Sequence, residues 1–166
     1  NNELSIYDFQ ITRKAIMNKL YLTNSDIKTY CLNIVQGMIQ DKWFPDYIVG
    51  ITRGGLLPAK MLSHYMDIPM TTLDIRLRDG VLDGPESNKW LPNMIEQGKK
   101  ILIVDDINDS GATFNWIITD WNITDSKWTD DVRFACLIDN VSSMCEYGMS
   151  YTGIEINKSM EVWSNQ

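Results

Sequence analysis

The fold is decided by a stretch of sequence that reads Ile101-Leu102-Ile103-Val104-Asp105-Asp106-Ile107-Asn108-Asp109-Ser110-Gly111-Ala112-Thr113. Its apolar first part, together with the preceding Lys100, predicts a strand at 100–104 that is buried on both faces. Its last part predicts the start of a helix that runs over 112–121. Residues 105–111 are therefore predicted to be a loop at the carboxyl end of a strand, which is the edge where parallel α/β sheets bind their ligands.

The chemistry of this loop changes from one half to the other. Ser110 and Thr113 offer hydroxyl groups, Gly111 lets a ligand approach the backbone closely, and the free amides at a helix N-terminus favour an anion such as phosphate. The neighbouring carboxylates of Asp105 and Asp106 suit a hydroxylated sugar, a divalent cation, or both. Taken alone, each of these residues is better explained as part of a turn or as a helix cap. Three acids at one strand end, however, exceed what a turn needs.

Strands alternate with helices through the rest of the chain, which predicts a parallel α/β sheet. The predicted strands are 47–51, 69–75, 100–104, 132–138 and 151–156, and the predicted helices are 26–40, 56–66 and 112–121. Asn24 or Ser25 is expected to cap the first of these helices. Residues 76–98 show little periodicity, and a connection of this length is typical of a functional lid or of a disordered segment.

Length and charge limit the possible functions. The 166 residues correspond to one domain, since domains average roughly 150 residues. Lys plus Arg total 15 and Asp plus Glu total 22, which gives a formal net charge of −7. Because nucleic acids and anionic membranes attract basic surfaces, neither is expected as a partner.

The cysteines and the hydropathy indicate the compartment. The three cysteines, Cys31, Cys136 and Cys145, are widely spaced, and the chain has a single histidine, His64. A zinc site is therefore not expected, and reduced thiols in a cytoplasmic protein are the simplest interpretation. The first residues lack the basic and apolar regions of a signal peptide, and no apolar run approaches ~20 residues, so no membrane span is predicted.

Other ligand-binding motifs fit less well. The sequence Asp105-Asp106-Ile107-Asn108-Asp109 matches the D-D-x-x-D pattern of prenyl-diphosphate synthases. That pattern belongs on a helix in an all-helical fold, whereas in this chain it follows an apolar strand. Neither a Walker P-loop nor a Rossmann G-x-G-x-x-G sequence is present, so the chain lacks the usual anchors for ATP and NAD.

Two segments resemble one known family. Val104-Asp105-Asp106-Ile107-Asn108-Asp109-Ser110-Gly111-Ala112-Thr113 resembles the signature loop of type I phosphoribosyltransferases, which binds 5-phosphoribosyl 1-pyrophosphate (PRPP). The second segment, Ile48-Val49-Gly50-Ile51-Thr52-Arg53-Gly54-Gly55-Leu56-Leu57-Pro58-Ala59, is similar to the strand, pyrophosphate loop and helix of bacterial xanthine/hypoxanthine-guanine phosphoribosyltransferases.

The resemblance implies an architecture for the whole chain. It implies the α/β type I phosphoribosyltransferase fold, in which helices flank a central parallel sheet. Residues 1–166 would form a single domain, with an N-terminal extension at 1–20, a flexible lid at 76–92 and a small C-terminal hood at 139–166.

The resemblance also implies roles for individual residues. Asp105 and Asp106 would hold the ribose hydroxyls and Mg²⁺. The 5-phosphate would be bound by Ser110, Gly111, Ala112 and Thr113. Arg53, Gly54 and Gly55 would bind the pyrophosphate, in a loop that often contains a cis peptide in this family. Arg53 would also take part in catalysis by stabilising the leaving group. Arg76, Arg78 or Lys89 of the lid could reach the pyrophosphate.

The base-binding end departs from the family pattern. Asp109 would act as the second catalytic residue, because it would accept the proton at purine N7 or form a hydrogen bond to it. Ile107, Cys136 and Trp163 are the candidates for contacting the base. Cys136 stands where the 6-oxopurine enzymes have a lysine, and a thiol cannot replace an ammonium donor. The departure therefore concerns recognition of the base and leaves the two PRPP-binding segments unaffected.

The function that the resemblance implies is a transfer reaction. A phosphoribosyltransferase of nucleotide salvage would move the 5-phosphoribosyl group of PRPP to a nucleobase, with a 6-oxopurine as the expected acceptor, and would release pyrophosphate. Mg²⁺ would be required, and the enzyme would form a homo-oligomer, either a dimer or a tetramer. The alternative is a catalytically inactive PRPP-binding regulatory protein.

Overall fold

The computed structural model describes residues 22–78, 81–83 and 90–157. The predicted N-terminal extension at 1–20, most of the residues between 79 and 89, and Trp163 lie outside the described residues. The helices are Asn24–Asp41 (α1), Leu56–Met66 (α2), Trp90–Glu96 (α3) and Ala112–Trp121 (α4), with a 3-10 turn at Asp125–Lys127. The strands are Tyr47–Thr52 (β1), Met70–Asp74 (β2), Arg76–Arg78 (β3), Val81–Asp83 (β4), Ile101–Asn108 (β5), Val132–Asn140 (β6) and Tyr151–Ile156 (β7).

Five of these strands form one sheet in the order β2-β1-β5-β6-β7, and every neighbouring pair is parallel. Two buried clusters cover its faces. The side chains of α3 and α4 pack on one face, and those of α1 and α2 pack on the other. The predicted α/β fold with a parallel central sheet is confirmed. A parallel sheet needs this arrangement, because each crossover carries the chain back over one face.

Strand β5 lies at the centre of the sheet and is buried on both sides. Ile101 and Ile103 contribute to the cluster under α3 and α4, while Leu102 and Val104 contribute to the cluster under α1 and α2. This alternation explains why the strand reads as an uninterrupted apolar run.

The prediction that 105–111 is a loop is wrong over its first half. Strand β5 continues to Asn108, because β6 runs on to Asn140 and pairs with Asp105, Ile107 and Asn108 along its length. Only Asp109 to Gly111 lie between β5 and α4. The acidic pair is consequently part of the strand's carboxyl end and is held on a rigid element.

A further difference concerns the residue that caps the first helix. Helix α1 is capped by Thr23, not by Asn24 or Ser25: the Thr23 hydroxyl accepts from Asp26 N at 3.1 Å, and Thr23 N donates to the Asp26 carboxylate at 2.9 Å. This reciprocal capping box satisfies two amides, whereas a cap one residue later would not.

The segment 76–98 contains regular structure that the sequence did not predict. Strands β3 and β4 pair antiparallel, and α3 follows with Pro92 in its first turn, a position that tolerates proline. Three-residue strands are too short to show a hydrophobic period.

None of the helices in the described part of the chain has the length and hydropathy that a membrane span requires.

Candidate active site

The order of the strands creates a crevice at one edge of the sheet. Strands β1 and β5 are neighbours, and the chain leaves β1 toward β2 on one side and leaves β5 toward β6 on the other. At such a reversal the loops that follow the two strands diverge, and a ligand can enter between them. These loops are Arg53–Gly55, named the first loop, and Asp109–Gly111, named the second loop.

The first loop touches the acidic end of β5. A Cβ atom on Gly54 would overlap both carboxylate oxygens of Asp106, so glycine allows this approach without movement of that side chain. The loop turns tightly, since Gly55 N donates to Ile51 O at 2.7 Å, and the Thr52–Arg53 peptide bond is cis. Arg53 is exposed at this edge. The structure thereby brings together the glycine loop and the acidic strand end that the sequence singled out separately.

The two carboxylates of β5 are fixed by the backbone beside them. Asp105 is only 3% exposed, and its Oδ1 accepts from Asp106 N at 2.8 Å. The half-buried Asp106 accepts from Ile107 N at 2.8 Å.

The donor set limits how a cation could bind at this edge. In the described ranges 22–78, 81–83 and 90–157, no three histidine, cysteine, aspartate or glutamate side chains lie close enough together to hold a metal ion. A hard cation at Asp105 or Asp106 would therefore take its remaining oxygen ligands from water or from a bound phosphate, which is the usual way in which proteins bind Mg²⁺.

The second loop ends at the N-terminus of α4. Gly111 caps this helix with φ of +86°, and Ser110 Oγ accepts from Ala112 N at 3.2 Å. The exposed Ser110 and the half-buried Thr113 stand beside the first helical turn, whose amides lack acceptors within the helix. This is the geometry that favours an anion.

A segment that the sequence did not indicate supports the second loop. A Cβ atom on Gly111 would overlap the backbone of Met144 and Cys145, which crosses directly above it. Met144 N donates to Ser110 O at 3.0 Å, and Asn115 of α4 binds the same segment through its Nδ2 to Met144 O at 2.8 Å. These contacts attach the start of the predicted hood to the second loop.

Buried polar side chains at the ends of β5 and β6 complete this support. Asn108 Nδ2 donates to Asp139 Oδ1 and to Ser143 Oγ, both at 2.8 Å. Asn140 Nδ2 donates to Asp109 O at 2.9 Å. Burial raises the pKa of Asp139, although the hydrogen bond from Asn108 acts in the opposite direction. No pattern in the sequence marked these residues, because isolated asparagines are common in turns.

Arg76, one of the candidate lid cations, is already paired in the described conformation. Its Nη2 lies 2.7 Å from Asp74 Oδ2, and its Nε donates to Asp74 Oδ1 at 3.0 Å. The same carboxylate accepts from Thr52 Oγ1 at 3.1 Å, one residue before the first loop. The Asp74 carboxylate raises the pKa of the Arg76 guanidinium through this hydrogen bond and its charge.

The comparison with protein families identifies the fold. A sequence model described as the phosphoribosyl transferase domain matches residues 19–166. The chain belongs to this family.

Named relatives and solved structures agree with that assignment. Over 126 residues the chain is 22% identical to xanthine phosphoribosyltransferase 1 of Saccharomyces cerevisiae, covering 61% of this chain and 59% of that protein. Over 75 residues it is 39% identical to the xanthine-guanine phosphoribosyltransferase of Cereibacter sphaeroides, covering 43% of this chain and 45% of that protein. The matches thus span about half the length of these curated relatives.

Among solved structures, the purine phosphoribosyltransferase of Pyrococcus horikoshii is similar with a TM-score of 0.60 and 25% identity, covering 82% of this chain and 87% of that one. The xanthine-guanine-hypoxanthine phosphoribosyltransferase of Helicobacter pylori has a TM-score of 0.56 at 19% identity, covering 82% of this chain and 91% of that one. The latter similarity concerns the fold.

Two of the three candidate base-binding residues, Ile107 and Cys136, lie in the described part of the chain, on the adjacent strands β5 and β6. Ile107 is 8% exposed and packs in the cluster under α1 and α2. Cys136 pairs in register with Asp105 and is fully buried, and this burial raises the pKa of its thiol well above the ordinary value. In this conformation the thiol has no exposed surface with which to contact a base. Trp163 lies outside the described residues.

Proposed function

We propose that this protein transfers the 5-phosphoribosyl group of PRPP to a nucleobase, with a 6-oxopurine as the acceptor and pyrophosphate as the second product, in nucleotide salvage. The observation that carries the proposal is the contact between Gly54 and Asp106. It joins a loop suited to an anion with a strand end suited to ribose, and both lie at the point where the strand order reverses. The relatives named for xanthine, guanine and hypoxanthine support the choice of acceptor.

The binding of PRPP would be divided between the two loops. Ser110 to Thr113 hold the 5-phosphate at the N-terminus of α4, where the free amides of the first turn adjoin two hydroxyl-bearing residues. Arg53, Gly54 and Gly55 hold the pyrophosphate, supported by the N-terminus of α2 immediately after the loop. Asp105 and Asp106, between the loops, accept hydrogen bonds from the ribose hydroxyls.

Mg²⁺ fits this arrangement as a cofactor that arrives with PRPP. Its ligands in proteins are typically one or two carboxylates together with phosphate oxygens and water, and Asp105 and Asp106 offer such carboxylates. When bound, Mg²⁺ neutralises part of the charge that develops on the pyrophosphate.

The protein's own groups would then act on the reacting bonds. The bond between C1′ of the ribose and the pyrophosphate oxygen breaks, and its electron pair leaves with pyrophosphate. A base nitrogen forms the new bond to C1′. Arg53 stabilises the leaving charge, and Asp109 accepts the proton at purine N7 or holds that position by a hydrogen bond. The lid at 76–92 excludes water from the cationic transition state.

The acceptor would be held at the side of the crevice next to β6. Ile107 supplies an apolar contact near the base, and Trp163 of the hood supplies a stacking surface. Cys136 would come near the base only if the end of β6 moves, since the thiol is fully buried in this structure. No lysine stands at position 136 to donate to the exocyclic oxygen of the base.

The compartment, the oligomeric state and the partners of the protein are part of the same proposal. The three cysteines are free thiols, which suits the reducing cytoplasm. Exposed apolar side chains on α1 and α2, including Leu32, Ile39, Leu56, Leu57 and Tyr65, support a homo-oligomer, either a dimer or a tetramer. The net charge of −7 argues against nucleic acid as a partner.

The test is turnover across a panel of bases. Radiolabelled xanthine, guanine, hypoxanthine, adenine, uracil and orotate are each incubated with Mg²⁺, PRPP and the protein, and the nucleoside 5′-monophosphate is measured. We expect turnover with at least one 6-oxopurine and none in the absence of PRPP. PRPP binding without turnover of any base would reject the transferase and support the inactive regulatory protein. No binding of PRPP would reject both.

A further inference from the structure

We propose that Asn140 is a positioning residue that holds Asp109 in place for the transfer reaction. The inference rests on the proposed function, because Asp109 matters for chemistry only if the crevice transfers a base. Asn140 is the last residue of β6, is 6% exposed and stands beside the second loop.

The register of the sheet places these two residues next to each other. Asn108 and Asp139 are partners across β5 and β6, so the following residues, Asp109 and Asn140, continue the same register past the end of β5. Asn140 Nδ2 lies 2.9 Å from the main-chain oxygen of Asp109 and 3.5 Å from its carboxylate Oδ1. One amide group thus contacts both the backbone and the side chain of the proposed catalytic acid.

The orientation of the Asn140 amide is determined by its other end. Asn140 Oδ1 accepts from Ser142 N at 3.2 Å and from Ser142 Oγ at 2.8 Å. A flipped amide would direct its NH₂ group at the donating Ser142 N–H, and it would also place oxygen against the oxygen of Asp109. The donor therefore faces Asp109.

The neighbouring hydrogen bonds make this support rigid. Asn108, which is 3% exposed, binds Asp139 and Ser143, so the turn after β6 is attached to the end of β5 on both sides of Asn140. Buried hydrogen bonds of this kind hold a functional group within a narrow range of positions, and mutation of such supporting residues commonly costs activity.

The test is a double-mutant cycle of Asn140→Ala with Asp109→Asn. If Asn140 acts through Asp109, Asn140→Ala lowers kcat about 10–100-fold in the wild-type background. It lowers kcat by less than about 3-fold when Asp109 is already Asn. The KM for PRPP and its calorimetric affinity stay close to wild type in every variant. An equal loss in both backgrounds would overturn the proposal, because a residue that only stabilises the fold acts additively.

A matched control and a second variant guard against misfolding. Asn33 Nδ2 also donates to a backbone carbonyl, Gly153 O, at 3.1 Å, but it lies on α1 away from the crevice. Asn33→Ala is expected to leave kcat unchanged. If Asn140→Ala does not fold, Asn140→Asp takes its place in the cycle with the same expected non-additivity. This variant has the same shape, but it replaces the donating NH₂ group by a charged carboxylate oxygen that faces Asp109.

Failure of the proposed function is distinguishable from failure of this inference. If the wild-type protein turns over no base, the transferase proposal fails, and crystal structures of the wild type, Asn140→Ala and Asn33→Ala still test the positioning. We then expect Asp109 to be displaced or disordered in Asn140→Ala alone. An unchanged Asp109 in Asn140→Ala would contradict the inference.

Discussion

The two loops at the crevice are held in place by different means. The first loop is shaped by close packing: Gly54 lies against the Asp106 carboxylate, and Gly55 closes a tight turn onto Ile51. The second loop is attached by hydrogen bonds from other segments, namely from Asn140 to Asp109 and from Met144 to Ser110.

Because they are held differently, the two loops suit different functions at the same site. The first loop offers the exposed guanidinium of Arg53, which suits the binding of an anion. A loop fixed by side-chain hydrogen bonds can hold one carboxylate, Asp109, in a defined position for proton transfer. Changes in the first loop should thus act mainly on the binding of PRPP, and changes in the second loop mainly on turnover and on stability.

The largest effect is expected at Asp109 of the second loop. Asp109→Asn removes the proposed proton acceptor and should lower kcat about 10²–10⁴-fold while leaving the affinity for PRPP almost intact. Arg53→Gln, in the first loop, should instead weaken the binding of PRPP and of pyrophosphate. Steady-state kinetics combined with calorimetry separate the two. Full activity of Asp109→Asn with every accepted base would remove the proposed division between the loops.

The next largest effect is expected on stability at Gly111. Gly111→Ala forces φ of +86° on a residue with a Cβ that meets backbone atoms of Met144 and Cys145, so the free energy of unfolding should fall by about 2–5 kcal/mol. Gly98 is the matched control, with φ of +88° and no heavy atom near its Cβ position, and Gly98→Ala should cost only about 1–2 kcal/mol.

Gly54→Ala completes that comparison. Its Cβ meets the side chain of Asp106, which can rotate away, so we expect weaker PRPP binding with a smaller loss of stability than in Gly111→Ala. Urea denaturation measures the free energy of unfolding of all three variants. A loss at Gly98 as large as that at Gly111 would show that packing above the second loop contributes nothing.

A smaller effect is expected for a single phosphate contact. Thr113→Val removes one hydroxyl from the first turn of α4, and a hydrogen bond to a charged acceptor contributes about 1.5–3 kcal/mol, so KM for PRPP should rise about 10–100-fold. Thr119→Val is the control, because Thr119 is exposed on the same helix and its hydroxyl donates only to Asn115 O. Equal KM values for the two variants would reject the phosphate site at α4.

The smallest effect concerns pH and Asp139. Burial raises the pKa of this carboxyl above its ordinary value of 3.8, so the native state binds the proton more tightly than the unfolded state. The wild-type protein should therefore lose stability as pH rises from 3.8 through the native pKa. Asp139→Asn keeps an acceptor for Asn108 but cannot ionise.

Thermal unfolding across this pH range checks whether stability falls or rises with pH. We expect the stability of Asp139→Asn relative to wild type to increase as the pH rises and then to level off above the native pKa. If the wild type gains on the variant over the same range, the carboxylate of Asp139 is stabilised by its surroundings and the predicted direction of the pKa shift is wrong.

Much of the fold was predictable because its signals are local. The apolar run of β5 and the helical period of α4 indicated the right element types, and helix 56–66 has the predicted bounds. The end of β5 was misplaced because Asp105 and Asp106 are poor strand residues by composition, and only the pairing with β6, a non-local interaction, keeps them in the sheet.

The placement of the candidate residues was predictable in part. Residues with distinctive chemistry, such as Arg53-Gly54-Gly55 and the three acids, stood out, and the structure places them at the carboxyl ends of the neighbouring strands β1 and β5. Asn140, Asn115 and the Met144 backbone did not stand out, because their importance lies in partners that are distant in the sequence.

The most direct test of the central claim is a calorimetric titration of the wild-type protein with Mg²⁺ and PRPP beside two double variants. Asp105→Asn with Asp106→Asn removes the carboxylates between the loops, and Asp120→Asn with Asp125→Asn removes the same charge from exposed positions outside the crevice. We predict one PRPP bound per chain, unchanged affinity in the control, and at least about 10-fold weaker binding in the crevice variant. Equal affinity in all three proteins, or no binding by the wild type, would contradict the account.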